Sequence, residues 1–160
     1  MNFTKIELNT PPKCNCLDKA VVITDVEFAR HIYMPKARPQ DFFSKWEKYE
    51  NNNSFPLNFN YDNCRNVCGT KGISIHLWKN ESKGRIMDEY IKNFQITRKA
   101  KNSILIFKLK LGAGVIAHTP KTSEPTNPFH HDFYKSDDFS IDLVDNIEII
   151  SLKDLLQDDE

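Results

Sequence analysis

The sequence predicts an α+β domain: a mixed, mainly antiparallel sheet of about six strands with two or three helices. Three observations carry that expectation. Residues 103–111 begin as a continuous apolar run and end in alternation, the pattern of a strand buried on both faces at one end. Residues 72–78 form a second clear strand. Residues 83–96 place Ile86, Met87, Tyr90, Ile91 and Phe94 on one helical face. Strands and helices do not alternate regularly, which argues against a doubly wound parallel sheet.

Taken in order, residues 3–8 alternate weakly, as a short edge strand would, and Pro11 and Pro12 break the pattern. Residues 20–23 are a short apolar run. Val26, Phe28, Arg30 and Ile32 follow at period two, so the two stretches read as one kinked strand or a hairpin. Pro39 suits the first turn of a helix. Phe42, Phe43, Trp46 and Tyr49 then recur at helical spacing and are expected to be core packing. Residues 51–63 are an Asn-rich loop whose Phe55, Leu57, Phe59 and Tyr61 are expected to pack down. Ser82 is placed to cap the helix at 83–96. Gly112 and Gly114 permit a bend before a strand at 115–118. Pro120 and Pro125 punctuate a loop that presents His130 and His131 beside Asp132. Residues 147–152 read as a last strand. Ser151 and Asp154 resemble a capping box, so a short terminal helix is expected. Leu105, Phe107, Leu109 and Leu111 are expected among the best-buried residues.

The 160 residues suit one domain, spanning 1–160. The 22 basic and 22 acidic residues give a formal net charge of +0, which argues against strong nonspecific nucleic-acid binding. No apolar run approaches the roughly 18 residues of a membrane span. The N-terminus lacks the apolar segment of a signal peptide, so the cytoplasm is the expected location.

The cysteines occur as Cys14-x-Cys16 and Cys64-x3-Cys68. Two close pairs can supply four thiolates to one tetrahedral zinc, although the spacings are not those of zinc ribbons. The alternative is four reduced thiols, as in a reducing compartment. Among the histidines, His130 and His131 stand out because Asp132 is adjacent and can orient a ring. Neighbouring side chains on an extended segment diverge, so one of the two is expected at any one site. No phosphate-binding glycine loop and no Gly-x-Ser-x-Gly elbow is present.

Three islands carry a resemblance: Phe28 to Tyr33, Gly72 to Ile75, and Asn127 to His130. They resemble an Arg-x-Ile, Leu-Ser-Val and Asn-Pro-x-His pattern of small bacterial proteins, which directs attention to Arg30, Ser74 and His130. The order Arg30, Ser74, Glu148 is also similar to that of ADP-ribosyltransferases, with Asn146 departing from the first position of their late acidic motif. That resemblance implies catalytic roles for Arg30, Ser74, His130 and Glu148, with Arg30 and Ser74 binding NAD. Glu148 would stabilise a cationic ribose. It implies a macromolecular target, protein or nucleic acid, within a bacterial conflict or toxin system. The competing expectation is a non-enzymatic binding or immunity module, with zinc held by Cys14, Cys16, Cys64 and Cys68. A small nuclease using His130 or His131 is a third reading, without the acidic cluster such chemistry needs. None of these readings places the protein in a membrane.

Overall fold

The computed structural model describes residues 1–52, 57, 59–97 and 100–157. Its most continuously buried strand is β3 (Ser103–Leu109), the strand that the apolar run at 103–111 predicts. β3 pairs with β1 (Phe28–Ile32) on one edge and β6 (Val144–Ser151) on the other. β2 (Ile73–Leu77), β5 (His130–Lys135) and β4 (Gly114–His118) extend the sheet beyond β1. The six strands run in the order β4-β5-β2-β1-β3-β6, and every pairing is antiparallel. The α+β expectation therefore holds.

Both faces of β3 are covered, which is why its sequence is continuously apolar rather than alternating. Leu105, Phe107 and Leu109 join Phe28, Ile32, Ile73, Ile75, Ile116, Phe133 and Phe42 on one face. Ile104 and Ile106 turn the other way, against Ile86 and Tyr90 of α4 (Lys83–Asn93) and Leu152 of α5 (Leu152–Gln157). On that second face a separate cluster of Ile6, Ala117 and Tyr134 covers the β4–β5 end. It is supported by α1 (Thr4–Glu7) and α3 (Cys64–Lys71). α2 (Lys45–Asn51) starts at Ser44, whose hydroxyl accepts from Glu47 N while the Glu47 carboxylate takes the Ser44 N–H. The described residues thus hold five α-helical segments rather than two or three.

Several local expectations are corrected. Residues 3–8 contain helix α1 instead of an edge strand, because Ile6 is held into the core and Asp137 takes the Thr4 N–H and hydroxyl. Residues 20–26 contribute only a bridge, Val21 to Ile116. His130 and His131 lie in β5, not on a loop. Leu111 is 77% exposed, because the strand ends at Leu109 and the chain turns away. The turn passes through Gly112 at φ +95°, and at Gly114, which opens the next strand, a Cβ would come within 2.1 Å of the Tyr134 carbonyl oxygen. Phe59 packs on Trp46 and Tyr61, as expected of that loop, while Phe55 lies outside the described residues.

The zinc expectation is overturned. Cys14 pairs with Cys64, and Cys16 with Cys68, in two disulfides that tie α3 to the N-terminal segment. Sulfurs joined to each other are no longer thiolates and cannot ligate a metal. Among the described residues, no group of three or more His, Cys, Asp or Glu side chains is placed to hold a metal ion. The cytoplasmic expectation, drawn from the N-terminus, implied reduced cysteines; the two disulfides speak against that, since disulfides persist in oxidising compartments. Among the described residues, no helix is long and apolar enough to cross a membrane.

Candidate catalytic site at the junction of β2 and β5

Ser74 lies in the middle of β2, between Ile73 and Ile75, which are both buried. Alternation turns Ser74 to the face that carries His76, and leaves the isoleucines on the opposite face. On that face the α4–α5 cluster covers β1, β3 and β6, and the N-terminal cluster covers β4 and β5. Ser74 falls between the two coverings and is exposed to solvent.

The neighbouring strand supplies a base. β5 pairs Asp132 with Ser74 and His130 with His76, so all four side chains share one face. His130 reaches diagonally, placing Nε2 3.0 Å from Ser74 Oγ. Its Nδ1 is 2.8 Å from the carbonyl oxygen of Thr119 and 3.0 Å from that residue's hydroxyl. A carbonyl only accepts, so Nδ1 carries the proton of the neutral ring, and Nε2 is left to accept from the Ser74 hydroxyl. Thr119 is itself fixed, because its N–H donates to the carbonyl of His130. His131, facing the other way, packs on Phe28 and His118. The pair therefore diverges, as the sequence implies.

Asp132 is buried beside this pair, and burial pushes its carboxyl above the ordinary value, with His130 and a hydrogen bond from Thr119 opposing that shift. Thr119 thus touches both the imidazole and the acid. His76, with its ring 5.5 Å from that of His130, is pushed down to about 3, mainly by burial. It is neutral at pH 7, and its Nδ1 lies 2.8 Å from the Tyr90 hydroxyl.

Behind Ser74 the sheet opens. β1 and β2 share only two residue pairs, Phe28 with Leu77 and Ala29 with His76. Leu77 N–H bonds the Phe129 carbonyl toward β5, so alternation turns the backbone groups of Ser74 and His76 toward β1. A regular ladder would next pair Ser74 with His31. Instead, the Tyr90 hydroxyl enters the seam, bonded by the His31 backbone and 3.3 Å from the Ala29 carbonyl. Arg30 donates from one terminal nitrogen to the Ser74 carbonyl at 2.8 Å and from Nε to the Asp41 carbonyl at 2.6 Å.

The structure therefore brings Ser74 and His130 into direct contact and sets Arg30 against the Ser74 backbone. Arg30 arrives from the opposite face, where it lies over the Phe42 ring. Glu148 is not brought to them. It is exposed on β6, with β3 and β1 standing between β6 and β2, a separation of about 14 Å at ordinary strand spacing. The cofactor expectation is corrected accordingly: zinc is displaced by the disulfides, and the NAD reading loses Glu148, the residue meant to stabilise its cationic ribose, to the far end of the sheet. Sequence reasoning missed Thr119, His76 and Tyr90. Only Tyr90 had a signal, as a polar-tipped aromatic on the buried face of α4. No protein-family model matches the chain, and neither the curated proteins nor the solved structures contain a match to it.

Proposed function

We propose that this protein is an acyl-transfer enzyme of the hydrolase type, with Ser74 as nucleophile and His130 as general base. One observation carries the reading. An exposed serine hydroxyl lies 3.0 Å from a histidine nitrogen whose ring is held by Thr119 in the accepting tautomer. A nucleophile, a base in hydrogen-bond reach and a third group orienting the base are the recurring parts of such sites.

In the reaction, Ser74 Oγ attacks the carbonyl carbon of an ester while its proton passes to His130 Nε2. The ester C–O bond breaks, and the leaving alcohol takes that proton. Water then attacks the acyl-serine with the same histidine as base, releasing the acid and restoring Ser74. The backbone N–H of Ser74, turned toward the open seam, is a donor on the nucleophile's own residue for the developing oxyanion. Thr119 holds the ring, and Asp132, hydrogen-bonded by Thr119, responds to its charge. Ser74 stands on an open surface, which favours an acyl group presented by a larger molecule.

The test is labelling of the oxidised protein with a fluorophosphonate probe, followed by peptide mass spectrometry. The expected result is one adduct at Ser74, formed with loss of fluoride, absent in Ser74→Ala and much reduced in His130→Gln. A native protein that labels no faster than its heat-denatured control overturns the reading. It would favour the non-enzymatic binding module instead.

A further inference from the structure

A second feature lies on the face of the sheet opposite Ser74. The β4–β5 ladder places His118 directly across from His131. Thr119, the next residue along, donates its N–H to the His130 carbonyl, so the His118–His131 position is of the non-hydrogen-bonded kind. Side chains stand closest at such positions. The two imidazoles accordingly lie with ring centroids 4.6 Å apart and planes 30° apart. His118 is exposed, and His131 is half-buried, edge-on to Phe28.

The backbone sets the tautomer of each ring. His118 Nε2 is 2.8 Å from the carbonyl oxygen of Pro128, and His131 Nδ1 is 2.9 Å from that of Phe129. A carbonyl only accepts, so these two nitrogens carry the protons of the neutral rings. The lone pairs are left on His118 Nδ1 and His131 Nε2, neither of which has a hydrogen-bond partner among the described residues. Burial pushes the His131 pKa down, against the opposing effect of the Phe129 carbonyl, so that ring is neutral at pH 7. The two carbonyls belong to adjacent residues of an anchored segment. Phe129 N–H donates to the side-chain oxygen of buried Asn127 at 3.0 Å, and the Asn127 amide donates to Glu89 at 2.8 Å. Histidines that bind metals are held in this way, with the second ring N–H on a carbonyl and that carbonyl fixed in turn.

We propose that His118 and His131 form a copper(II) site, bound through His118 Nδ1 and His131 Nε2. Two imidazoles on neighbouring positions of one metal, at metal–nitrogen distances of about 2.0 Å, have ring centres about 4.5 Å apart. The 4.6 Å spacing matches that arrangement. The site uses two side chains, because no third His, Cys, Asp or Glu joins them among the described residues. Imidazole nitrogens alone select copper(II) first and nickel(II) after it, and a tetragonal ion fills its other positions with water. Magnesium, which demands oxygen ligands, is not suited to the pair.

The test adds copper(II), supplied as its glycine complex, to the intact, disulfide-bonded protein at pH 7. Nickel(II) and magnesium are the comparison ions. Calorimetry is expected to show one copper(II) per chain, weaker nickel(II) and no magnesium. Electron paramagnetic resonance should show nitrogen coupling from two imidazoles. In the wild type, copper(II) should broaden the amide signals around His118 and His131, a readout that does not depend on any variant folding. His118→Gln changes an exposed residue and should weaken copper(II) binding by roughly a hundredfold, since the second ligand then no longer acts at high effective concentration. No saturable binding of copper(II) overturns the assignment. So does binding undiminished in His118→Gln, or broadening centred on the Met1 amine or on His130.

Discussion

Arg30 donates a 2.8 Å hydrogen bond to the carbonyl of Ser74, where the backbone N–H of His31 would stand had the β1–β2 ladder continued. One side chain thus substitutes for a missing piece of sheet. It also fixes the backbone that carries the proposed nucleophile, and it lines a cavity together with Tyr33, Phe43 and Phe94.

Replacing this arginine should therefore loosen the sheet at a defined place. Arg30→Met removes the donor to both the Ser74 and Asp41 carbonyls and is expected to cost about 1–2 kcal/mol, the scale of two hydrogen bonds that solvent can partly replace. Arg30→Lys should recover little, since an ammonium lacks the fork that spans the two carbonyls. Urea denaturation would measure this. A midpoint unchanged in Arg30→Met would show that water satisfies the carbonyls equally well.

Stability should fall in mild acid. His31 is held down to about 4 and His76 to about 3, both chiefly by burial, against an ordinary value of 6.5. Between those values the unfolded chain binds protons that the folded chain does not. Acidification below pH about 6.5 therefore favours unfolding, by up to about 1.4 kcal/mol per pH unit for each histidine, and the loss levels off below the folded values. Above 6.5 these two groups contribute no pH dependence. Thermal melts across this range should show a shallower acid slope in His76→Asn than in the wild type. An equal slope would mean that His76 charges without opening the fold.

Reduction should destabilise the protein strongly, but the contributions of the two disulfides should not add. Cys14–Cys64 closes a loop with a sequence separation of 50, a constraint on the unfolded chain that corresponds to about 4 kcal/mol in the chain-entropy account. Once it is closed, Cys16–Cys68 restricts only the few further residues between the paired ends. The double variant Cys16→Ser, Cys68→Ser should thus lose much less than the variant lacking all four cysteines. Denaturant melts of both would decide, and equal losses would show that the second bridge acts through native packing instead.

The sequence by itself determined the elements whose burial is written in their own period. The apolar run at β3, the strand at β2 and the helical face of α4 are local patterns, and each appears where its pattern stands. The divergence of His130 from His131 follows equally from the twofold alternation of a strand. What only the tertiary structure decided are contacts between residues far apart in sequence. Cys14 meets Cys64, and His130 meets Ser74 across 56 positions. Thr119 fixes the ring from the segment just after β4, while Glu148 is carried away to the far end of the sheet. Cysteine spacing is compatible with metal or with disulfides, and the choice depends on which sulfurs the packed chain brings within bonding distance. The order Arg30, Ser74, Glu148 along the chain holds no information about strand order. A sheet arranged β4-β5-β2-β1-β3-β6 separates the third residue from the second by the width of the strands between them.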